Sequence, residues 1–370
     1  MSIKLSFWGD FVSIAPQNLS MSDELLGWLE NSDFNICNFE SPIEGNYKPF
    51  ERQGPRVKQP RGSVDFLRSA GFNVFQLANN HMCDYGEEGC VATINALKGA
   101  TTVGAGDYKE AYSVKVVEKN GLRIGFISCV HHEFGVLERE NEEANVGTAW
   151  ICNDEFVRSI IDAKQQVDFL IVLPHAGVEE IDAPLQEWRE KYRFFIDCGA
   201  DCVIGTHPHV PQGWEEYKGK PIFYSLGNFY FDFLTGSHPY WSKGLVVLLE
   251  IGDDGKLSYK VQNIAFNDYR IEVDDTEETK RHNQQICELI QSNELYMNYI
   301  NEHSLRLWYD YNNWLTRGLG AVSFKLHFVD IMKSIYVSLF KGRQKSLLEN
   351  CLQCESHRWT ILRAQQLLRK

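Results

Sequence analysis

Five apolar segments of this chain each run straight into a polar residue able to bind a divalent metal. Ile3 to Trp8 ends at Gly9-Asp10, and Phe34 to Phe39 ends at Glu40. Phe72 to Ala78 ends at Asn79-Asn80-His81. Phe169 to Pro174 ends at His175, and Cys202 to Gly205 ends at Thr206-His207-Pro208-His209. Short apolar runs bounded by turn residues read as buried parallel strands. In open α/β sheets, ligands bind outside the carboxyl ends of such strands. One Asp, one Glu, one Asn and three or four His are therefore expected to converge on one edge of one sheet. That is the ligand inventory of a two-metal site, and it makes a metal-dependent hydrolase the leading expectation.

Strand-like and helix-like stretches alternate through the first ~200 residues, which predicts βαβ units and an α/β fold with a largely parallel sheet. Helices are expected at Ser22–Glu30, Ser63–Ala70, Glu87–Lys98, Asp154–Ala163 and Leu185–Cys198, with Ser63 and Asp154 as N-caps. After Pro221 the pattern turns antiparallel. Pro221–Leu226 and Gly244–Ile251 read as strands, and Asp253-Asp254-Gly255 turns the chain into Leu257–Phe266. Glu133–Asn145 reads as an acidic surface loop. A second acidic run, Asp274–Glu278, divides the chain into residues 1–275, a catalytic domain, and residues 276–370, which read as helices.

Charge follows the same division. Residues 1–275 have a formal balance of −17 and residues 276–370 one of +4, within a total of −13. A chain this acidic is not expected to bind nucleic acid. The ten cysteines are scattered, and several lie in apolar runs, as Cys37 and Cys129 do. They read as reduced, buried thiols of a cytoplasmic protein. Cys351-Leu-Gln-Cys354 has zinc or redox spacing but no second pair nearby. The first strand is expected to begin at Ile3, and on that reading no signal peptide is expected. No apolar run reaches the ~20 residues that span a bilayer. Ser323, His327, Asp330, Ser334, Ser338 and Lys341 recur at steps of three and four. They draw a narrow polar stripe on an apolar helix, either packed on most sides or lying against a membrane or a membrane partner.

A two-metal site needs a bridging carboxylate with neutral imidazoles or carboxamides around it. Asp10 and Glu40 can supply carboxylates, Asn80 a carboxamide oxygen, and His175, His207 and His209 imidazole nitrogens. A histidine free of metal, here His81, can protonate a leaving group. Taken singly, Asp10 or Glu40 after a strand is as readily a helix cap. Thr206-His207-Pro208-His209 is the strongest local signal, because two histidines at i and i+2 in an extended turn point the same way. Mn, Fe and Zn all suit such an N/O ligand set.

The segments Trp8-Gly9-Asp10, Asn38-Phe39-Glu40, Ala78-Asn79-Asn80-His81, Pro174-His175-Ala176-Gly177, Gly205-Thr206-His207-Pro208-His209-Val210 and Tyr224-Ser225-Leu226-Gly227-Asn228-Phe229 occur in this order. Together they resemble the bacterial capsule-synthesis protein family, the CapA or poly-γ-glutamate-synthesis type, which is similar to the calcineurin-like metallophosphoesterases. The resemblance covers roughly residues 3–266 and is most specific in its last two segments. It implies a four-layer α-β-β-α metallophosphatase-like sandwich with a dinuclear site. It further implies that Asp10 and His209 hold the first metal, that Glu40 takes the bridging place, and that Asn80, His175 and His207 hold the second. His81 would be the acid near the leaving group. Asn228 would sit at the same rim, orienting substrate or a ligand. The wider phosphoesterase pattern has His two residues after the first Asp, where this chain has Val12. The first metal then lacks a ligand, and a one-metal site is the alternative to a two-metal one.

Arg56, Lys58 and Arg61 share a short loop of an otherwise acidic region. That suggests an anionic substrate group such as phosphate or a polyglutamate carboxylate. Asn79 and His131 are further candidates to touch substrate. Trp214, Tyr230, Phe231, Phe233, Tyr240 and Trp241 crowd the region after the histidine pair, as pocket wall or as packing. The expected activity is hydrolysis of a phosphate ester or related anhydride, by resemblance in capsule or surface-polymer biosynthesis. One alternative is γ-glutamyl or amide hydrolysis or transfer with the same metals. The other is a non-catalytic assembly role beside a membrane polymer synthase, docked through the C-terminal helices.

Overall fold

The computed structural model describes residues 2–52, 54–140, 145–319, 328–336 and 345–369. Two large β-sheets face each other, and helices cover both outer faces. The first sheet is built on Ile3–Val12, with parallel strands Phe34–Phe39, Val74–Gln76 and Thr101–Val103 on one side. On its other side run the antiparallel strands Lys243–Ile251, Leu257–Asn267 and Arg270–Val273. The second sheet has Leu122–Val130, Phe169–His175, Cys202–Ile204 and Lys220–Phe223 parallel at its centre. Between the sheets, Leu5, Phe7, Ile36 and Val74 meet Phe126, Ile171, Leu173 and Ile204. Helices Asp23–Glu30, Gly62–Ala70 and Gly86–Ala96 pack Leu25, Leu67 and Cys90 on the outer face of the first sheet. Asp154–Lys164 and Gln186–Asp197 pack Phe156, Ile160, Trp188 and Phe195 on that of the second. The result is the four-layer α-β-β-α sandwich that the resemblance implied.

The ligand-bearing strand ends divide between the two sheets instead of sharing one edge. Asp10, Glu40 and Asn80 come from the first sheet, and His175, His207 and His209 from the second. Apolar runs show that strands are buried but carry no mark of which sheet each will join. Local capping differs too. Asn153 caps the helix that Asp154 opens, accepting from Glu155 N. Ser63 lies inside its helix and donates to Ser13 O. Glu133 belonged to an expected surface loop, yet its side chain is only 10% exposed and turns inward.

Simple alternation would aim Asp10 at the helix layer, since Ile3, Leu5 and Phe7 face the second sheet and Trp8 faces the helices. A bulge prevents this. Trp8 pairs with Cys37 and Asp10 with Asn38, so Gly9 is an extra residue against the neighbouring strand. The parity flips: Phe11 joins Trp8 on the helix side, and Asp10 turns toward the second sheet. Only glycine fits at the bulge, because a Cβ on Gly9 would stand 1.9 Å from Gly227 O.

The C-terminal region contributes helices Glu277–Gln291, Asn293–Gly318, Phe328–Tyr336, Lys345–Gln353 and Glu355–Leu367. Ile286, Ile290, Tyr296 and Ile300 share one apolar core with the outer helices of the second sheet. Of the stretch Ser323–Lys341, expected as one helix, Phe328–Tyr336 is helical and the remainder lies outside the described residues. No helix among the described residues is long and apolar enough to cross a membrane.

Gly9→Ala is expected to cost about 1–3 kcal/mol of stability, the usual penalty for overfilling a packed site. A shift in the denaturant midpoint measures it. A variant as stable as the parent would show that the close approach to Gly227 is dispensable.

Candidate metal centre

The six expected ligands meet at the carboxyl ends of both sheets, each 3% exposed or less. Asp10, Glu40 and His209 bring one ligand atom each to within 4.8 Å of one another, and so do Glu40, His175 and His207. Glu40 belongs to both groups. Its Oε1 lies 3.6 Å from His175 Nε2 and 3.6 Å from His209 Nε2. That oxygen is buried and has no hydrogen-bond partner. A buried carboxylate oxygen without a donor is costly unless a cation meets it. Asn80 Oδ1 and His207 Nδ1 stand 3.0 Å and 3.2 Å from His175 Nε2, so three possible ligand atoms crowd one point. Carboxylate, carboxamide and imidazole donors suit Mn, Fe or Zn. The residues present therefore fit divalent metal.

The imidazoles are oriented from behind. Strand Asn228–Phe231 pairs with the first strand and sets Asn228 beside Asp10. Asn228 Nδ2 donates to Trp241 O at 2.8 Å, and Oδ1 lies 2.9 Å from His209 Nδ1. Oδ1 accepts the Nδ1–H, which leaves the Nε2 lone pair facing Glu40. Asn228 is fully buried with both amide ends engaged, so it stands behind His209 and not at an open rim. Thr206 Oγ1 holds His175 Nδ1 at 2.9 Å, and the His207 amide donates to Asp10 Oδ2 at 3.1 Å.

His207 and His209 do not lie in an extended turn. Their φ values are +99° and +60°, and residues other than glycine held there cost of order 1–3 kcal/mol each. This turn sends His207 to His175 and His209 to Asp10, with ring centroids 6.0 Å apart. Val12 packs with Val57, Phe231 and Trp241, so position 12 adds no ligand. Phe231 and Trp241 also flank the His209 ring, each at 4.9 Å.

Burial dominates the protonation of these groups. It raises the Asp10 pKa to about 7, against the hydrogen bonds from Asn38 and the His207 amide. Burial, and then the Asp10 charge, pushes Glu40 well above the ordinary carboxylate range. Burial also lowers His175 and His207 well below the ordinary imidazole range and brings His209 to about 4. The three rings are therefore neutral near neutral pH, while Glu40, and Asp10 below a pH of about 7, hold protons that a cation would displace.

His81 belongs to a second arrangement beside the ligands. Its Nδ1 is 2.7 Å from Asp84 Oδ2 and 2.9 Å from Arg52 Nη2. Arg52 Nε pairs with Asp84 Oδ1 at 2.8 Å, and Val57 N donates to Oδ2 at 2.7 Å. With Asp84 accepting the Nδ1–H, Nε2 is the atom that can exchange a proton with a bound molecule.

Sequence reasoning missed Asn38, Asp84 and Arg52. Asn38 Nδ2 donates to Asp10 Oδ1 at 2.7 Å and to Glu40 Oε2 at 3.3 Å. It stands two residues before Glu40, so strand alternation could have found it. Asp84, three residues after His81, is a local partner of the same kind. Arg52 carries no such mark. Of the three cations expected here, Arg56 and Lys58 make other contacts. Arg56 donates to the carbonyls of Phe50 and Arg52, and Lys58 lies over the Tyr85 ring. Asn79 donates to Asn38 Oδ1 and Phe39 O and accepts from His81 N, so it braces the strand ends. His131 does reach the cluster, with its ring edge-on to His207 at 4.3 Å.

A family model described as bacterial capsule synthesis protein PGA_cap matches residues 12–233. The capsule biosynthesis protein CapA of Bacillus anthracis is 33% identical over 216 residues, 55% of this chain and 52% of that one. The PGA biosynthesis protein CapA of Bacillus subtilis (strain 168) is 34% identical over 212 residues, 54% of each chain. A probable polyglutamine synthesis accessory protein of Mycobacterium tuberculosis is 29% identical over 246 residues, 62% of this chain and 65% of that one. The chain spans about half the length of the two Bacillus relatives.

Below a pH of about 7, metal uptake is expected to release protons, because Asp10 and Glu40 hold them while the three imidazoles are already neutral. Apparent affinity then rises with pH through that range. Calorimetric titration in buffers of different ionisation enthalpy reads the release directly, and a count of zero would contradict protonated carboxylates. Glu40→Gln should weaken uptake at both groups, whereas Asp10→Asn should spare the group of His175 and His207.

Proposed function

Because the chain belongs to the bacterial capsule synthesis protein family, we propose that it is a metal-dependent hydrolase. In this reading it cleaves a phosphate ester or related anionic substrate during capsule or surface-polymer biosynthesis. The observation that carries the reading is the Glu40 carboxylate, shared by two donor groups and unpartnered between their histidines. Asp10, Glu40 and His209 would hold one divalent cation, and Glu40, Asn80, His175 and His207 would hold a second. The first is the weaker, since Val12 offers no ligand. Divalent cations held there would supply acidification of water and electrostatic relief of the negative charge on phosphoryl oxygens.

The chain itself manages the proton. His81, oriented by Asp84, gives its Nε2 proton to the departing oxygen. Arg52 fixes Asp84 and adds positive charge beside an anionic substrate. Asn228 and Thr206 keep His209 and His175 turned toward the cations. The names of the two Bacillus relatives support the biosynthetic process. Ten free cysteines support a reducing, cytoplasmic setting. A γ-glutamyl or amide bond is the other substrate that these ligands would serve.

A second reading has support of its own. One relative is named an accessory protein. Helix Phe328–Tyr336 leaves Phe328 75%, Val329 60% and Met332 49% exposed, an apolar face open for a partner. In that reading the C-terminal helices dock the chain on a membrane polymer synthase or the membrane beside it, and the metal centre serves assembly.

The metal-loaded chain is expected to hydrolyse an aryl phosphate and to be inhibited by inorganic phosphate. His81→Ala should lower kcat by about 10²–10⁴-fold, the usual worth of a general acid. Cleavage of γ-glutamyl substrates alone would favour amide chemistry. Neither activity, combined with liposome co-sedimentation that a Phe328→Ser, Met332→Ser variant loses, would move the reading to assembly.

A further inference from the structure

A separate group of donors lies beside the centre. His131, Glu133 and Cys354 bring ligand atoms to within 4.8 Å of one another. The first two follow strand Leu122–Val130, and Cys354 immediately precedes helix Glu355–Leu367. We propose that these three residues bind a further, soft divalent cation, best matched by zinc, which pins the last helix to the edge of the metal centre. The proposal stands apart from the reading above, because none of the three belongs to the groups that share Glu40.

The hydrogen bonds around His131 locate its lone pair. Ser356 Oγ donates to Gly177 O and accepts from Trp188 Nε1 at 2.9 Å. Its hydrogen is in use, so toward His131 Nδ1, 3.4 Å away, it can only accept. Nδ1 therefore carries the hydrogen and Nε2 the lone pair. Nε2 belongs to a residue 1% exposed and has no hydrogen-bond partner. Facing it at 3.8 Å is Glu133 Oε1, another acceptor. A buried, unpartnered nitrogen set against a second, nearly enclosed acceptor is unfavourable unless a cation joins them.

The remaining atoms agree. Glu133 Oε2 accepts from Asn80 Nδ2 at 3.2 Å and lies 4.0 Å from Arg52 Nη1, which leaves Oε1 for the cation. Cys354 is fully buried, and its side chain makes no capping bond to the helix it precedes. The turn is held in place from the other side. Glu355 Oε2 accepts from His132 N at 2.6 Å, and Oε1 accepts from Trp150 Nε1 at 2.8 Å. One nitrogen, one oxygen and one sulfur match the three protein ligands of a zinc site that keeps a fourth position open. The lone pair Cys351-Leu-Gln-Cys354 thus divides: Cys354 finds its partners across the fold, and Cys351 is not among them.

Cobalt loading of the full chain tests the site, because a cobalt–thiolate bond gives a near-ultraviolet charge-transfer band that nitrogen and oxygen ligands do not. The band is expected in the parent, in Cys351→Ser and in Asp10→Asn. It is expected to vanish in Cys354→Ser and in His131→Gln. X-ray absorption of the zinc form should show one sulfur at about 2.3 Å, and it requires no variant. A metal-saturated parent lacking both the band and that sulfur would overturn the proposal, as would a band that persists in folded Cys354→Ser. Should the groups around Glu40 take up no metal, the thiolate band still decides this site.

Discussion

Two carboxylates buried side by side set the terms for this centre. Asp10 and Glu40 are both fully buried, and the Asp10 charge is one reason that Glu40 keeps its proton. Such a pair resists ionisation unless positive charge compensates. Hydrogen bonds answer three of the four oxygens. Asn38 Nδ2 reaches Asp10 Oδ1 and Glu40 Oε2, and the His207 amide reaches Asp10 Oδ2. The fourth, Glu40 Oε1, is met only by histidine nitrogens. Burial keeps those rings neutral, and the bond to Asn228 turns the His209 lone pair toward the carboxylate. Divalent metal at the two donor groups would answer Glu40 Oε1 and the imidazoles together, which would distinguish the arrangement from a buried ion pair.

The departures of the backbone from regularity follow from the same requirement. The bulge at Gly9 turns Asp10 away from the helix layer, and the close passage of Gly227 excludes any side chain there. Left-handed backbone at His207 and His209 splits two neighbouring histidines between different groups. Strain of this kind persists only where the surroundings hold it. Here the holders are Asn228 behind His209 and the bond from the His207 amide to Asp10. The C-terminal helices close one side of the same region, since Glu355 and Ser356 bond to the segment around His131 and His132.

The six candidate N/O ligands were legible in the chain because a polar residue ending an apolar run is a local pattern. Asn38 was equally legible by alternation and went unread. Arg52 was not legible, because a long side chain before a loop can land in many places. The basic loop pointed to Arg56 and Lys58, yet backbone carbonyls and the Tyr85 ring engage those two. Glu133 read as part of a solvated acidic run, and the fold turned it inward beside Asn80.

By itself, the sequence determined the chemistry of the candidate ligands and the alternation of strands and helices. Only the tertiary structure decided that the ligands come from two sheets, that Gly9 reverses the aim of Asp10, that Arg52 serves His81, and that Cys354 lies beside His131 and Glu133. The physical reason is range. Residue type and strand period are set within a few positions. Sheet membership, parity after a bulge and the reach of a side chain depend on contacts between segments far apart in the chain.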